Sequence, residues 1–236
     1  MESLSRIVAL VGPAGAGKTT LFQALGQRSE CILLGFPPFA RNLVASPFYV
    51  RQALLLMPTL VHLHRNKNNS RSLTRREIAL MAILNGWPRL LRQEMEKHDK
   101  VVVLDQGPVI MMVQLHMLGP ESLRSRIADK WWKSVYRQWA TSLDIVVYLD
   151  ASDTHLLHRI RTRGDCHAMK DKPVLKVFDF LAHYRMAYEQ VLSFLTAKTT
   201  GPMVLRFDTA RESVDSIVTR LLSEFGLTDG RDEVVR

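Results

Sequence analysis

The stretch IVALVGPAGAGKTTLFQALGQ, residues 7–27, decides how this chain is read. It opens on a β-branched apolar run, Ile7–Val11, breaks at Gly12, and passes into a helix-forming segment over Thr19–Gln27. Between the two, GPAGAGKT, residues 12–19, meets the spacing G-x-x-x-x-G-K-[ST] at every fixed position. With glycine at about 7% of average usage, a chance match in a chain of this length is on the order of one percent. A backbone wrapped round a polyphosphate must turn its N–H groups inward. Glycines permit that curvature, and the helix that follows adds the positive end of its dipole. Lys18 is placed to reach the β- and γ-phosphates of ATP and the Thr19 hydroxyl to bind Mg²⁺, with Gly12, Gly15, Gly17 and Thr20 completing the loop. A flexible glycine turn has no need of Lys-Thr at this spacing.

Outward from this loop the chain alternates short apolar strands with longer helical segments. Strands are expected at Ile32–Gly35, Val101–Asp105, Ile145–Asp150 and Met203–Phe207. Helices are expected over Pro47–His64, from Thr74 to about Lys97, across about 107–118 and 121–142, and over Asp153–Arg163, Val174–Ala197 and Glu212–Phe225. Thr74-Arg-Arg-Glu77 reads as a capping box, and Pro88 as a kink or a split in the helix it opens. Continuous apolar strands between helices imply a parallel sheet covered on both faces. Five strands then fit one three-layer α/β domain over residues 1–227, with 228–236 a polar tail. Ligands of such sheets gather at the carboxyl ends of the strands, which puts Gly12, Asp105 and Asp150 at one rim.

Composition bounds the function. At 236 residues, 47% hydrophobic and 23% charged, the chain has the make-up of a globular protein. No uncharged apolar run approaches the roughly 18 residues of a membrane span. The first apolar run leads straight into the glycine loop, so it does not read as a secretion signal. Cys31 and Cys166 sit in different segments, which fits a reducing cytoplasm. A net charge of +9 points to anionic partners.

The phosphate loop is shared by switch GTPases, motor ATPases and small-molecule kinases. The Asn-Lys at 66–67 is followed by Asn68-Asn69 and no Asp, so the guanine motif Asn-Lys-x-Asp is missing. In VVVLDQGPV, residues 101–109, Gln106 stands where motor ATPases carry a second acid. The kinase class remains. There Asp105 either accepts the acceptor's hydroxyl proton or holds Mg²⁺ through water. IVVYLDASDTHLLHRIRTRGD, residues 145–165, adds a strand, a cap and an arginine-rich helix. Arg159 and Arg163 share a helix face and Arg161 points elsewhere. They read either as cations favoured at a helix C-terminus or as a clamp on the transferring phosphoryl group. Asp150 reads as mainly structural, next to the N-cap of that helix.

The Walker loop, VYLDAS, RIRTRG and FLAHYRMAYEQVL (residues 180–192) together resemble the thymidylate kinase and deoxynucleoside kinase group. VLRFDTARESVDSIVTRLL, residues 204–222, is similar to its closing strand and helix, and the resemblance covers about half of the chain. It implies a five-stranded P-loop kinase core, a lid over about 159–173 containing Arg159, Arg161 and Arg163, ATP as donor, and an adenine contact near Asp208, Thr209 and Ala210. The match is weak over 36–100, where that group binds its acceptor. Candidates for acceptor contact are Arg41, Phe48, Gln52, Trp87, Arg89, Arg92 and Gln106. An aromatic platform with Gln and Arg suits a planar base and a phosphate or hydroxyl, although core aromatics with surface arginines fit each residue equally well. The resembling kinases carry Asp-Arg or Glu-Arg where Asp105-Gln106 stands, which argues against naming thymidylate.

The expected activity is transfer of the γ-phosphoryl group of MgATP to a small molecule, foremost a nucleoside or nucleotide. A sugar or antibiotic hydroxyl is an open variant. A nucleic-acid 5′ end is a less favoured one, motivated by five basic residues and no acid in 65–76. Trp132, Val135, Tyr136 and Trp139 form a helical stripe that suits core packing or a homodimer contact. His62 with His64, and Cys166-His167, lack the grouping of a metal site.

Overall fold

Our computed structural model describes residues 5–29, 32–35, 47–65, 71–96, 100–105, 107–164 and 167–227, with the backbone alone at 33–35 and 47–49. The strands are β1 (Arg6–Val11), β2 (Ile32–Gly35), β3 (Val101–Leu104), β4 (Ile145–Asp150) and β5 (Met203–Asp208). They form one parallel sheet in the order β2-β3-β1-β4-β5. The helices are α1 (Lys18–Arg28), α2 (Pro47–Leu55), α3 (Met57–Arg65), α4 (Arg75–Met95), α5 (Pro108–Leu118), α6 (Asp129–Ala140), α7 (Asp153–Thr162), α8 (Val174–Leu195) and α9 (Val214–Phe225).

The inner strands β1, β3 and β4 are almost wholly apolar because successive residues serve opposite cores. Ile7, Ala9 and Val11 of β1 face a core built with α4, α5 and α6, whereas Val8 and Leu10 face one built with α1, α7 and α9. Helix α8 serves both. Val177 and Leu181 join the second core, and Ala187, Tyr188, Val191 and Leu192 join the first. The face of α8 between these sets is the one that meets the ligand rim.

Three expectations about helices are corrected, each for a local reason. The segment expected as one helix over Pro47–His64 is two, α2 and α3, and Pro58 stands at the start of the second, where a missing N–H does no harm. The segment expected as helix from 121 begins with two short 3₁₀ turns, Glu121–Arg124 and Arg126–Ala128, before α6 starts. Pro88 does not split α4, which runs unbroken from its Thr74–Glu77 capping box to Met95. Proline at 88 deprives the Leu84 carbonyl of its usual helical donor. That carbonyl instead accepts from Trp139 Nε1 of α6 at 2.9 Å. The Trp132–Trp139 stripe is buried, which makes it core.

Candidate active site

The phosphate loop lies between β1 and α1 in a backbone that only glycine tolerates. Gly12 has φ 139°, and a Cβ there would stand 2.0 Å from the Leu149 carbonyl oxygen of β4. Gly15 has φ 82° and packs its Cα against α7, with the Leu156 carbonyl oxygen 3.1 Å from where a Cβ would be. The loop is thereby pressed onto both β4 and the arginine helix.

Lys18 folds back over the loop, donating to the carbonyls of Gly12 at 2.7 Å and Pro13 at 2.8 Å. Burial pushes its ammonium down to about 8, with Asp105 working against that shift and Arg163 adding to it. Thr19 at the start of α1 donates from Oγ1 to Asp105 Oδ2 at 3.4 Å. Asp105 follows β3 directly and is 6% exposed, so the start of α1 and the end of β3 bring a hydroxyl and a carboxylate together. Their two oxygens suit a Mg²⁺ ion that takes its other ligands from phosphates and water, as that cation commonly does.

Arg159 spans the cleft. Its Nη1 donates to Thr209 Oγ1 at 2.8 Å and to the Gly15 carbonyl at 3.2 Å, and its Nη2 donates to the Thr209 carbonyl at 2.8 Å. It thus joins the phosphate loop to the turn after β5, where Ala210 N donates to Asp208 Oδ1 at 2.9 Å. Arg163 lines the same cleft, while Arg161 is not among its lining residues, in keeping with the helical spacing. Asp150 holds α7 in place. Arg185 of α8 donates to it from Nε at 2.7 Å and Nη2 at 3.1 Å, and also pairs with Asp153.

The cleft has a volume of about 790 Å³ and takes in Gly12, Gly15, Gly17, Lys18, Thr19, Thr20, Asp105, Arg159, Arg163 and Thr209. It also takes in residues that sequence reasoning passed over: Ile110 and Gln114 of α5, His167, and Phe180, Tyr184 and Tyr188 of α8. Spacing of i, i+4 and i+8 on α8 was the available signal, and it sits inside the FLAHYRMAYEQVL segment. The acceptor candidates on α2 and α4 lie elsewhere. Gln52 is buried and accepts from Asn85 Nδ2 at 3.1 Å, and Trp87 packs edge-on against Trp139 in the core. Arg92 donates to Ser142 Oγ at 2.9 Å, and Arg89 is exposed. None of these four lines the cleft. Arg41, Gln106 and the Phe48 side chain are outside the described residues.

A parallel sheet in this order, with a glycine loop, a lysine and a strand-end acid at its carboxyl rim, defines a P-loop nucleotide-binding fold. A sequence model described as an AAA domain matches residues 7–186, and the chain belongs to that family. No curated protein matches the sequence. Among solved structures, the fold is similar to that of a thymidylate kinase from Candida albicans, at 12% identity and a TM-score of 0.54, covering 94% of this chain and 91% of that one. It is likewise similar to a deoxyadenosine kinase from M. mycoides with bound dATP, at 15% identity and a TM-score of 0.51, covering 93% of this chain and 98% of that one.

Proposed function

We propose that the protein is an ATP-dependent phosphotransferase that moves the γ-phosphoryl group of MgATP to a small-molecule acceptor, foremost a nucleoside or nucleotide. The observation that carries this reading is the meeting in one cleft of Lys18, the Thr19–Asp105 pair, Arg159 and Arg163. Phosphoryl transfer calls for positioning and for positive charge around the equatorial oxygens. Lys18 and Arg163 supply that charge, and Arg159 with Asp208, Thr209 and Ala210 borders the nucleotide base. Arg161, on the outer face of α7, would reach the nucleotide only on closure of the lid over about 159–173. Thr19 and Asp105 would hold Mg²⁺, which neutralises charge on the phosphates. Asp105 is alternatively the base that takes the acceptor's proton. The unit comprises residues 1–227 and works in the cytoplasm.

The neighbours that support a nucleoside or nucleotide acceptor do so by fold alone, so the acceptor class rests on this reading. A nucleic-acid end is less well supported, because Arg71 of the basic segment is paired with Glu77 and donates to the Leu118 carbonyl. The test is ADP release from MgATP with a panel of nucleosides, nucleoside monophosphates, sugars and 5′-hydroxyl oligonucleotides. One acceptor class should raise turnover well above basal hydrolysis, and Lys18→Ala should abolish it. If no class does so and Lys18→Ala still binds MgATP, the proposal is wrong.

A further inference from the structure

Tyr188 sits on the floor of the cleft, where no described residue answers its proton. The side chain is fully buried, and among the described residues its hydroxyl finds no acceptor for its proton. The Gly12 backbone N–H points at that oxygen as a donor and so cannot accept the hydroxyl's own proton. Its ring is fixed edge-on against Tyr148 of β4, with centroids 5.9 Å apart, and beside Tyr184 one turn earlier on α8. A rigid ring therefore presents a hydroxyl at one defined point. Burial, with Asp105 and the neighbouring tyrosines, raises the pKa of that hydroxyl, so it stays protonated. A buried donor left without an acceptor costs roughly 1–3 kcal/mol, so such groups are rare unless a ligand or water completes them. The completing group here is negative in character, because the other chemistry at this spot is Lys18, Arg163 and the N–H groups of the loop.

We infer that the Tyr188 hydroxyl donates a hydrogen bond to an oxygen of the transferring γ-phosphoryl group, making it a ligand-contacting residue that orients this group toward Asp105. The inference rests on the kinase reading above and adds a donor to it. A donor at this point is matched to the triphosphate and has nothing to meet in a diphosphate. It holds one equatorial oxygen while Lys18 and Arg163 meet the others.

The experiment compares Tyr188→Phe with the intact protein by calorimetric binding of MgATP and MgADP and by thermal unfolding. Removing the hydroxyl keeps the ring. A hydrogen bond to a charged group is worth enough that MgATP should bind roughly 10- to 100-fold more weakly, while MgADP is unchanged within about twofold. The empty variant should melt at the same temperature or higher, since an orphan donor has gone. Equal affinity for MgATP in the two proteins overturns the inference, as does a lower melting temperature of the empty variant, which would mean the hydroxyl is satisfied within the fold. If the intact protein binds no MgATP, the kinase reading itself fails, a result distinct from both.

Discussion

At the scale of single residues, the site is organised around one depressed lysine and one strand-end carboxylate. Lys18 has its pKa lowered from 10.5 to about 8 by burial, so in the empty protein it is mostly neutral above pH 8. The unfolded chain holds more protons than the folded one between those two values, so this group makes stability rise with pH across that window. Phosphate anions favour the charged lysine, so MgATP binding at pH 9 should take up about one proton. Calorimetry in two buffers of different ionisation enthalpy measures this, and Lys18→Arg, charged at that pH, should abolish the uptake. Asp105→Asn should lower turnover by roughly 10²- to 10⁴-fold if the carboxylate is the base. If it holds the metal, the same variant should instead raise the Mg²⁺ concentration needed for half-maximal rate. Unchanged turnover at every Mg²⁺ concentration would remove Asp105 from the chemistry. The lysine, threonine and carboxylate were legible because glycine spacing and a strand-ending acid are written locally. Tyr188 was not, since a tyrosine on a buried helix face reads the same whether it meets core or cleft.

At the scale of elements, contacts distant in sequence set the helices' limits. Pro88 looked like a helix breaker because local rules count only the N–H it lacks. Its cost is met from α6, where Trp139 donates to the Leu84 carbonyl that Pro88 leaves free. Trp139→Phe should therefore destabilise the fold by about 1–3 kcal/mol beyond its small packing change. Pro88→Ala supplies an N–H to the same carbonyl, so in the Trp139→Phe background it should restore part of that loss. Chemical denaturation of the four proteins gives the coupling directly, and strict additivity would show that the two residues do not share the carbonyl. The arginine helix depends on a second long-range tie, from Arg185 of α8 to Asp150 and Asp153. Arg185→Met should raise hydrogen exchange across α7 and weaken MgATP binding, with exchange in β1 and β3 unaltered. Unaltered exchange in α7 would show that packing by Leu156 and Ile160 holds the helix by itself. Strand positions and the Thr74 capping box were legible for the opposite reason, being fixed by neighbours in the chain.

At the scale of the whole molecule, the sheet does what no single motif can. Its order sets β3 and β4 on either side of β1, so Asp105, the phosphate loop and the base of α7 converge at one rim. Continuous apolar runs between helices made the parallel sheet and its two covered faces readable. The acceptor side was harder, because the aromatic and basic residues of α2 and α4 that suggested it are used in packing or lie on the surface. The wall of the cleft comes instead from α5 and α8, elements whose inward faces depend on how they cross the sheet. Binding should also be felt globally. MgATP at 100 times its Kd should stabilise the protein by about 2.7 kcal/mol, and Lys18→Ala should lose that gain. The most direct measurement follows the phosphoryl group itself, using ATP labelled with ¹⁸O in the γ-position and mass analysis of products across an acceptor panel. The label should appear covalently on one acceptor class in step with ADP formation. Label found only in inorganic phosphate would make the protein a hydrolase and end its reading as a kinase.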